Sequence, residues 1–335
     1  MNPKRTIFTV ESHTQGEPLR LVVGGMPALK GNSMAEKRQY FIDHYDYIRT
    51  ALMQEPRGHN DMFGAVLVPP TMPEADVGVF FMHGLGFHNM CGHGTIATNT
   101  ILVETGLVDV TEPVTTIKME APAGLVTVHV NVENGTAKSV SFENVPAFVY
   151  RRSVPVEVPG YGLLDIEVAF GGSFFAIIEA EKLGIPICRE NAGRLIDAGM
   201  AIIEAANAQI EIVHPELPHI KTIDLCEIFG PPRTPGADLQ NITIFDGQID
   251  RSPCGTSTCA ELAVLWDQGK MNVGDSFVYE SVINTTFTGR ILGETKVGPY
   301  PAILPEVTGS AYITGYAQYV IDDNDPVKYG FRLNK

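Results

Sequence analysis

Cys91-Gly92-His93-Gly94-Thr95 and Cys254-Gly255-Thr256-Ser257-Thr258 share one pattern: a cysteine, a glycine, hydroxyl-bearing residues, then a run of helix formers. The first continues as Ile96-Ala97-Thr98-Asn99-Thr100-Ile101-Leu102-Val103-Glu104 and the second as Cys259-Ala260-Glu261-Leu262-Ala263-Val264-Leu265-Trp266, so both read as loop, thiol and helix N-terminus. At such a junction the first backbone N–H groups lack partners within the helix and the aligned peptide dipoles present partial positive charge. An anion is favoured there, and a cysteine ionises more readily. One thiol from each half, facing the other across a small substrate, is the arrangement this layout predicts.

Outward from these segments, the two halves show the same order of elements. The first has strand patterns at 7–10 and 19–23, a polar helix over 35–51, and strands at 64–68 and 78–82 before Cys91. The second opens with alternating Val126, Val128, Val130 and Val132, turned by Asn134-Gly135 into Ser139-Val140-Ser141-Phe142, since Asn-Gly supplies the positive φ values of a type I′ hairpin turn. Strands at 156–158, 164–170 and 173–180, a helix over 192–210, and strands at 220–229 and 241–245 lead to Cys254. The tail at 311–316 reads as a strand able to return to either half. Pro113 and Pro122-Ala123-Gly124 place a boundary near residue 120, giving a first domain over 1–122, to which 311–335 can return, and a second over 123–310. Beyond the cysteine segments no repeat stands out.

A chain of 335 residues exceeds what one core usually serves, which agrees with two domains. Apolar residues make up 44% and charged residues 19%, enough for a packed core. A net charge of −15 without any Lys/Arg run argues against nucleic acid or an anionic membrane as partner. The stretch Met1–Val10 lacks an apolar export-signal core, and no span is long and apolar enough to cross a bilayer as a helix. Five cysteines spread over the chain do not resemble a disulfide framework, so reduced thiols in a cytoplasm are expected.

Inverting a carbon that bears one acidic hydrogen needs a base on one face and an acid on the other. Cys91 and Cys254 meet that need with two groups of similar acidity that exchange roles with direction, and no cofactor is required. The N–H groups of Gly92, His93, Gly94, Gly255 and Thr256 would hold a substrate carboxylate and stabilise charge as the proton leaves.

Further stretches sharpen this reading: Ser12-His13-Thr14 with Gly16-Glu17, Gly31-Asn32-Ser33-Met34, Glu55-Pro56-Arg57-Gly58-His59-Asn60-Asp61-Met62-Phe63-Gly64, Asn89-Met90 ahead of Cys91, Phe170-Gly171-Gly172-Ser173-Phe174-Phe175-Ala176, and Asp250-Arg251-Ser252-Pro253 ahead of Cys254. With them the chain resembles the proline racemase family, which also includes hydroxyproline epimerases and a dehydratase branch, over nearly its whole length. The resemblance implies an α/β (α+β) fold of the diaminopimelate-epimerase-like kind: two pseudo-symmetric domains, each a curled, mostly antiparallel sheet around a central helix. It implies Cys91 and Cys254 as the acid/base pair and His93 and Asp250 as the groups that hold the ring nitrogen. The dehydratase branch typically carries Thr in place of the second cysteine, so Cys254 points away from it. Phe63, Leu225 and Phe245 match the positions that contact the ring. All are apolar, which favours proline over 4-hydroxyproline, since a ring hydroxyl left unpaired there costs roughly 1–3 kcal/mol. Phe245 to Cys254 is one residue shorter than is usual in the family, and Ser257 stands where glycine is common.

Blander readings compete. Cys188, Cys226 and Cys259 read as packing residues; His13, His59, His83 and His88 as structural hydrogen-bond partners; Asp250 as a turn cap. Cys91 and His93 give no structural-zinc spacing, so no metal is expected. A regulatory disulfide between Cys91 and Cys254, and an inactive amino-acid-binding protein, are the other function classes. Proline or hydroxyproline is the expected partner, with a homodimer left open.

Overall fold

The computed structural model describes residues 5–333; Met1–Lys4, the start of the stretch read for an export signal, lie outside them. In chain order the elements are β1 (Arg5–Thr14), β2 (Glu17–Gly24), α1 (Met34–Met53), β3 (Phe63–Val68), β4 (Val77–His83), β5 (Phe87–His88), α2 (Gly92–Glu104), β6 (Val114–Ala121), β7 (Gly124–Glu133) and β8 (Thr136–Glu143). There follow β9 (Phe148–Val158), β10 (Gly162–Phe170), β11 (Phe174–Glu179), the short α3 (Ala180–Leu183), α4 (Ala192–Gln209), β12 (Ile223–Gly230), β13 (Leu239–Phe245), β14 (Gln248–Ile249), α5 (Gly255–Asp267), β15 (Ser276–Glu280), β16 (Thr286–Val297), β17 (Tyr300–Gly309) and β18 (Ala311–Ile321).

The chain forms two compact units, one of residues up to Phe142 together with those from Ser310 onward, the other Glu143–Gly309. In the first, β1 pairs antiparallel with β18 and β2, β2 runs parallel to β3, β3 pairs antiparallel with β4, β4 pairs antiparallel with β5 and parallel with β6, and β6 and β7 pair antiparallel in turn with β7 and β8. The second repeats this step for step: β10 with β9 and β11, β11 parallel to β12, β12 with β13, β13 with β14 and parallel to β15, then β15, β16 and β17. Parallel neighbours cannot be joined by a hairpin and need a crossover. The long helices α1 and α4 span the crossovers from β2 to β3 and from β11 to β12.

The other two long helices occupy the middle of each curled, mostly antiparallel sheet. Every residue of α2 from Gly92 to Val103 is buried, and the helix touches β1, β2, β3, β7 and β18. Burial on all sides is what a helix apolar around its whole circumference requires. α5 is enclosed in the same way by β9, β10, β16 and β17. α1 and α4 each close an apolar core on another face of their sheet, around Phe41, Ile48, Leu52 and Phe80 in the first unit and Leu195, Ile202, Ile228 and Ile244 in the second. The α/β class and the curled sheet around a central helix agree with the expectation.

The boundary lies elsewhere than the prolines suggest. Pro122-Ala123 joins β6 to β7, so the turn is internal to the first unit, and the Asn134-Gly135 hairpin belongs there too. That hairpin forms as read, with φ of 52° at Asn134 and 72° at Gly135 between the paired Glu133 and Thr136. The tail strand extends to Ile321 and pairs with β1.

Candidate functional site

Each cysteine caps its central helix. Cys91 precedes α2 with φ −146° and ψ 114°, ordinary extended backbone, whereas Cys254 precedes α5 with φ 61° and ψ 116°, a conformation that costs an L-residue of order 1–3 kcal/mol. Surrounding hydrogen bonds hold it: the Cys254 N–H donates to Ser252 Oγ (3.1 Å), and Asn241 Nδ2 donates to the Pro253 carbonyl (3.0 Å). In both segments the threonine four residues on donates its N–H (2.9 Å) and its hydroxyl (2.8 Å) to the cysteine carbonyl, Thr95 to Cys91 and Thr258 to Cys254. The shared Cys-Gly-x-x-Thr pattern is therefore one turn built twice. Both thiols are buried, 8% and 6% exposed.

In the first unit the Cys91 sulfur lies 3.4 Å from His93 Nδ1. Burial, with His88 nearby, pushes His93 down to about 3, against a raising hydrogen bond to the Pro18 backbone. At neutral pH the imidazole is thus uncharged. Its ring meets Phe63 edge-on at 4.8 Å, while Phe63 stacks on His83 and His88, themselves stacked at 4.5 Å. His83 and His88 are likewise pushed down by burial, to about 3 and about 4. Thr14, at the tip of the β1–β2 hairpin, fixes the turn by donating its hydroxyl to the His93 carbonyl (2.7 Å). Gly94 is obligatory: a Cβ there would lie 2.7 Å from the Phe81 ring.

In the second unit Asp250 Oδ1 accepts both the N–H (2.8 Å) and the hydroxyl (2.7 Å) of Ser252, an Asx turn that aims the chain into α5. The turn-cap reading of Asp250 therefore holds alongside any chemical one. Burial pushes Asp250 up to about 6, so it remains largely ionised at neutral pH. Burial first, then the Asp250 charge, hold the Cys254 thiol well above its ordinary range, opposed by hydrogen bonds from Thr256, the Ser257 N–H and Thr243. The Thr256 hydroxyl is 3.4 Å from the sulfur. Gly171, in the β10–β11 turn, has room for no side chain, since a Cβ would sit 2.1 Å from the Thr256 carbonyl oxygen. Leu225 packs against the apolar cluster that contains Cys254, and Phe245 is buried where β13 turns through Asp246-Gly247 into β14.

Each predicted residue is thus placed within its own unit: Cys91, Gly92, His93, Gly94 and Phe63 in the first, Leu225, Phe245, Asp250, Cys254, Gly255 and Thr256 in the second. Gly92 and Gly255 are the first helical residues of α2 and α5, where backbone donors point outward. Cys226 is fully buried and Cys259 accepts from Asn144 Nδ2 at 3.2 Å, both packing residues, whereas Cys188 is only half-buried. Among the described residues no group of three or more His, Cys, Asp or Glu side chains is arranged to hold a metal, and no helix is long and apolar enough to cross a membrane.

Thr14, Thr243, Ser252 and the buried Glu227 escaped the reading of site residues. A second repeat escaped it too: Pro69-Pro70-Thr71-Met72-Pro73 with Ala75-Asp76, and Pro231-Pro232-Arg233-Thr234-Pro235 with Ala237-Asp238. Glu120 gathers the N–H groups of Thr71 and Met72 and the Thr71 hydroxyl; Glu280 gathers those of Arg233 and Thr234 and the Thr234 hydroxyl. Asp76 and Asp238 exchange backbone and side-chain hydrogen bonds with Lys118 and Val278 in the same way.

Among curated proteins the chain is 53% identical to a proline racemase of Clostridioides difficile, over 99% of this chain and 100% of that one, and 45% identical to a 4-hydroxyproline 2-epimerase of Streptosporangium roseum, over 99% and 100%. Among solved structures it is similar to a hydroxyproline epimerase from Agrobacterium vitis with bound trans-4-hydroxy-L-proline, with a TM-score of 0.90 and 31% identity over 99% of this chain and 96% of that one. A phenazine biosynthesis protein of the PhzF family from Bacillus anthracis, TM-score 0.62 at 11% identity over 95% and 99%, shares the fold alone. The family model described as proline racemase matches residues 9–332. That span takes in both helix-capping cysteines and nearly every strand around them, so the chain belongs to the proline racemase family and is an isomerase of the racemase and epimerase kind.

Proposed function

We propose that this chain interconverts L- and D-proline without a cofactor, Cys91 and Cys254 alternating as base and acid at the α-carbon. The observation that carries the reading is the doubled helix cap: the same Cys-Gly-x-x-Thr turn presents one buried thiol in each unit, in a chain 53% identical to a proline racemase. The substrate carboxylate is bound by the N–H groups of Gly92, His93, Gly94, Gly255 and Thr256, whose fixed dipoles also take up charge as the α-proton departs. Neutral His93 offers a lone pair to the ring N–H, and the Asp250 carboxylate pairs with the cationic nitrogen. That pairing has a second effect. Offsetting the Asp250 charge removes one of the influences that hold Cys254 protonated, so substrate makes its own base easier to form. The enzyme belongs in the cytoplasm, where thiols stay reduced.

4-Hydroxyproline 2-epimerisation is the second reading, favoured by the epimerase relatives. The apolar character of Phe63, Leu225 and Phe245 supports proline. Incubation in deuterium oxide decides: label should enter the α-position of L-proline faster, by kcat/KM, than that of trans-4-hydroxy-L-proline. A preference for the hydroxylated substrate would refute the proline assignment. Iodoacetamide should inactivate the enzyme, and a planar pyrrole carboxylate should protect it.

A further inference from the structure

The first turns of α2 and α5 are secured by different means. In α2 the third helical residue is Gly94, and the Phe81 ring fills the space beside it. Its counterpart in α5 is Ser257, fully buried, whose hydroxyl donates to Glu227 Oε2 at 2.6 Å. Glu227 lies on β12, also fully buried, and its other carboxylate oxygen accepts the hydroxyl of Tyr279 from β15. Glu261, one turn further along α5, is a buried neighbour of Glu227. The matching positions of the first unit are Ala65 and Met119 by strand register and Thr98 by its place in α2 after Cys91, none of them charged. Two carboxyl groups in an interior are costly and need a compensating purpose.

We propose that Glu227 is a positioning residue for Cys254: by accepting the Ser257 hydroxyl from beneath the helix it fixes the first turn of α5, and with it the Thr256 hydroxyl, 3.4 Å from the Cys254 sulfur, and the Ser257 backbone N–H beside it. The inference rests on Cys254 acting as an acid/base group, but its test reads the thiol directly. Ser257 is the joint of this device, its side chain held by Glu227 and its N–H among the influences that favour the Cys254 thiolate. In a surrounding that otherwise opposes the thiolate, one aligned donor weighs heavily. The titratable and charged groups around that sulfur are Asp250 and Arg251 from the segment before the helix, Glu227 from β12, Glu261 from α5 and Tyr279 from β15. Ser257→Ala retains them all, so a shift in Cys254 reactivity reports the lost anchor.

The experiment is peptide-resolved iodoacetamide alkylation of the intact protein across pH, with Cys91 as internal reference, alongside proline racemisation. Ser257→Ala should move the Cys254 midpoint upward and slow its alkylation near neutral pH about threefold or more. Cys91 should be unaffected, and kcat/KM should fall about tenfold with KM changed less than about threefold. Glu227→Ala should do at least as much, and Glu227→Gln, which keeps one oxygen for two hydroxyl donors, should do less in the same direction and serves if the alanine variant does not fold. A Ser257→Ala protein with lowered Tm but a wild-type Cys254 profile would overturn the proposal, leaving Glu227 a purely structural part. Full racemisation by Cys254→Ser would instead sink the two-thiol reading while leaving the alkylation comparison legible.

Discussion

Both helix starts carry the same threonine-clamped turn, yet α2 is seated on an aromatic ring and α5 on a hydrogen-bonded carboxylate. In the first unit His93, beside Cys91, and the stacked His83 and His88 are all pushed far below the ordinary histidine range by burial, so none of the three adds charge at neutral pH. Around Cys254 the neighbours are acidic, with Asp250 close by and Glu227 and Glu261 beneath. The sheet order is the same in both units, so topology does not create this difference; a few side chains do. One backbone plan can thus deliver two thiols into different electrostatic settings, the second held well above its ordinary range by burial and the Asp250 charge.

The largest effect should come from deleting either member of the comparison. Cys91→Ser and Cys254→Ser should each lower proline racemisation by roughly 10²–10⁴-fold, the usual contribution of a positioned acid or base. Polarimetry would detect retention of wild-type turnover, and with it the failure of the two-thiol mechanism. Next in size is Asp250→Asn, which should cut kcat/KM by about tenfold to a hundredfold through lost pairing with the ring nitrogen. The same change should move the alkylation midpoint of Cys254 downward in the free enzyme, because removing a neighbouring negative charge favours the thiolate. In the unaltered enzyme Asp250 takes up a proton as pH falls through about 6, so the KM for proline should rise below that point.

Exchanging the two seats tests the comparison through stability. Gly94→Ser would drive a side chain into Phe81 and should destabilise the protein by about 1–3 kcal/mol through overpacking, read by denaturant titration. Ser257→Gly removes one donor from buried Glu227 and should cost about 1–3 kcal/mol for the unsatisfied oxygen. Equal tolerance of glycine and serine at both positions would mean that the seats are interchangeable. The smallest effect concerns the wall. Phe63→His adds a polar partner and should shift the ratio of kcat/KM values toward trans-4-hydroxy-L-proline by several-fold, in keeping with roughly 1 kcal/mol for one hydrogen bond.

The decisive turns could be read in the chain because local chemistry dictates them. Cysteine, glycine and threonine at fixed spacing announce a helix start, and Asn134-Gly135 between alternating valines announces a hairpin; both form. The α4 helix was legible from its spaced Leu195, Ile202 and Ile203. Strand β17 was not, since Pro301 and Pro305 break the usual pattern of a paired strand, and it lies where proline is least expected. The boundary was misplaced because Pro122-Ala123 makes a tight turn within a sheet as readily as a linker. The matching proline-rich loops passed unnoticed because their partners, Glu120 and Glu280, lie far along the chain on β6 and β15. Glu227 was hidden for a related reason: a glutamate in a strand looks solvent-bound until the helix above it is placed.

The positive φ of Cys254 has a practical corollary. Glycine alone relaxes at that backbone angle, so Cys254→Gly should recover part of the local strain, whereas Cys91→Gly, on unstrained backbone, should recover none. A laboratory selection for heat resistance, blind to turnover, would therefore tend to discard the second cysteine and keep the first, trading chemistry for robustness at a single, foreseeable codon.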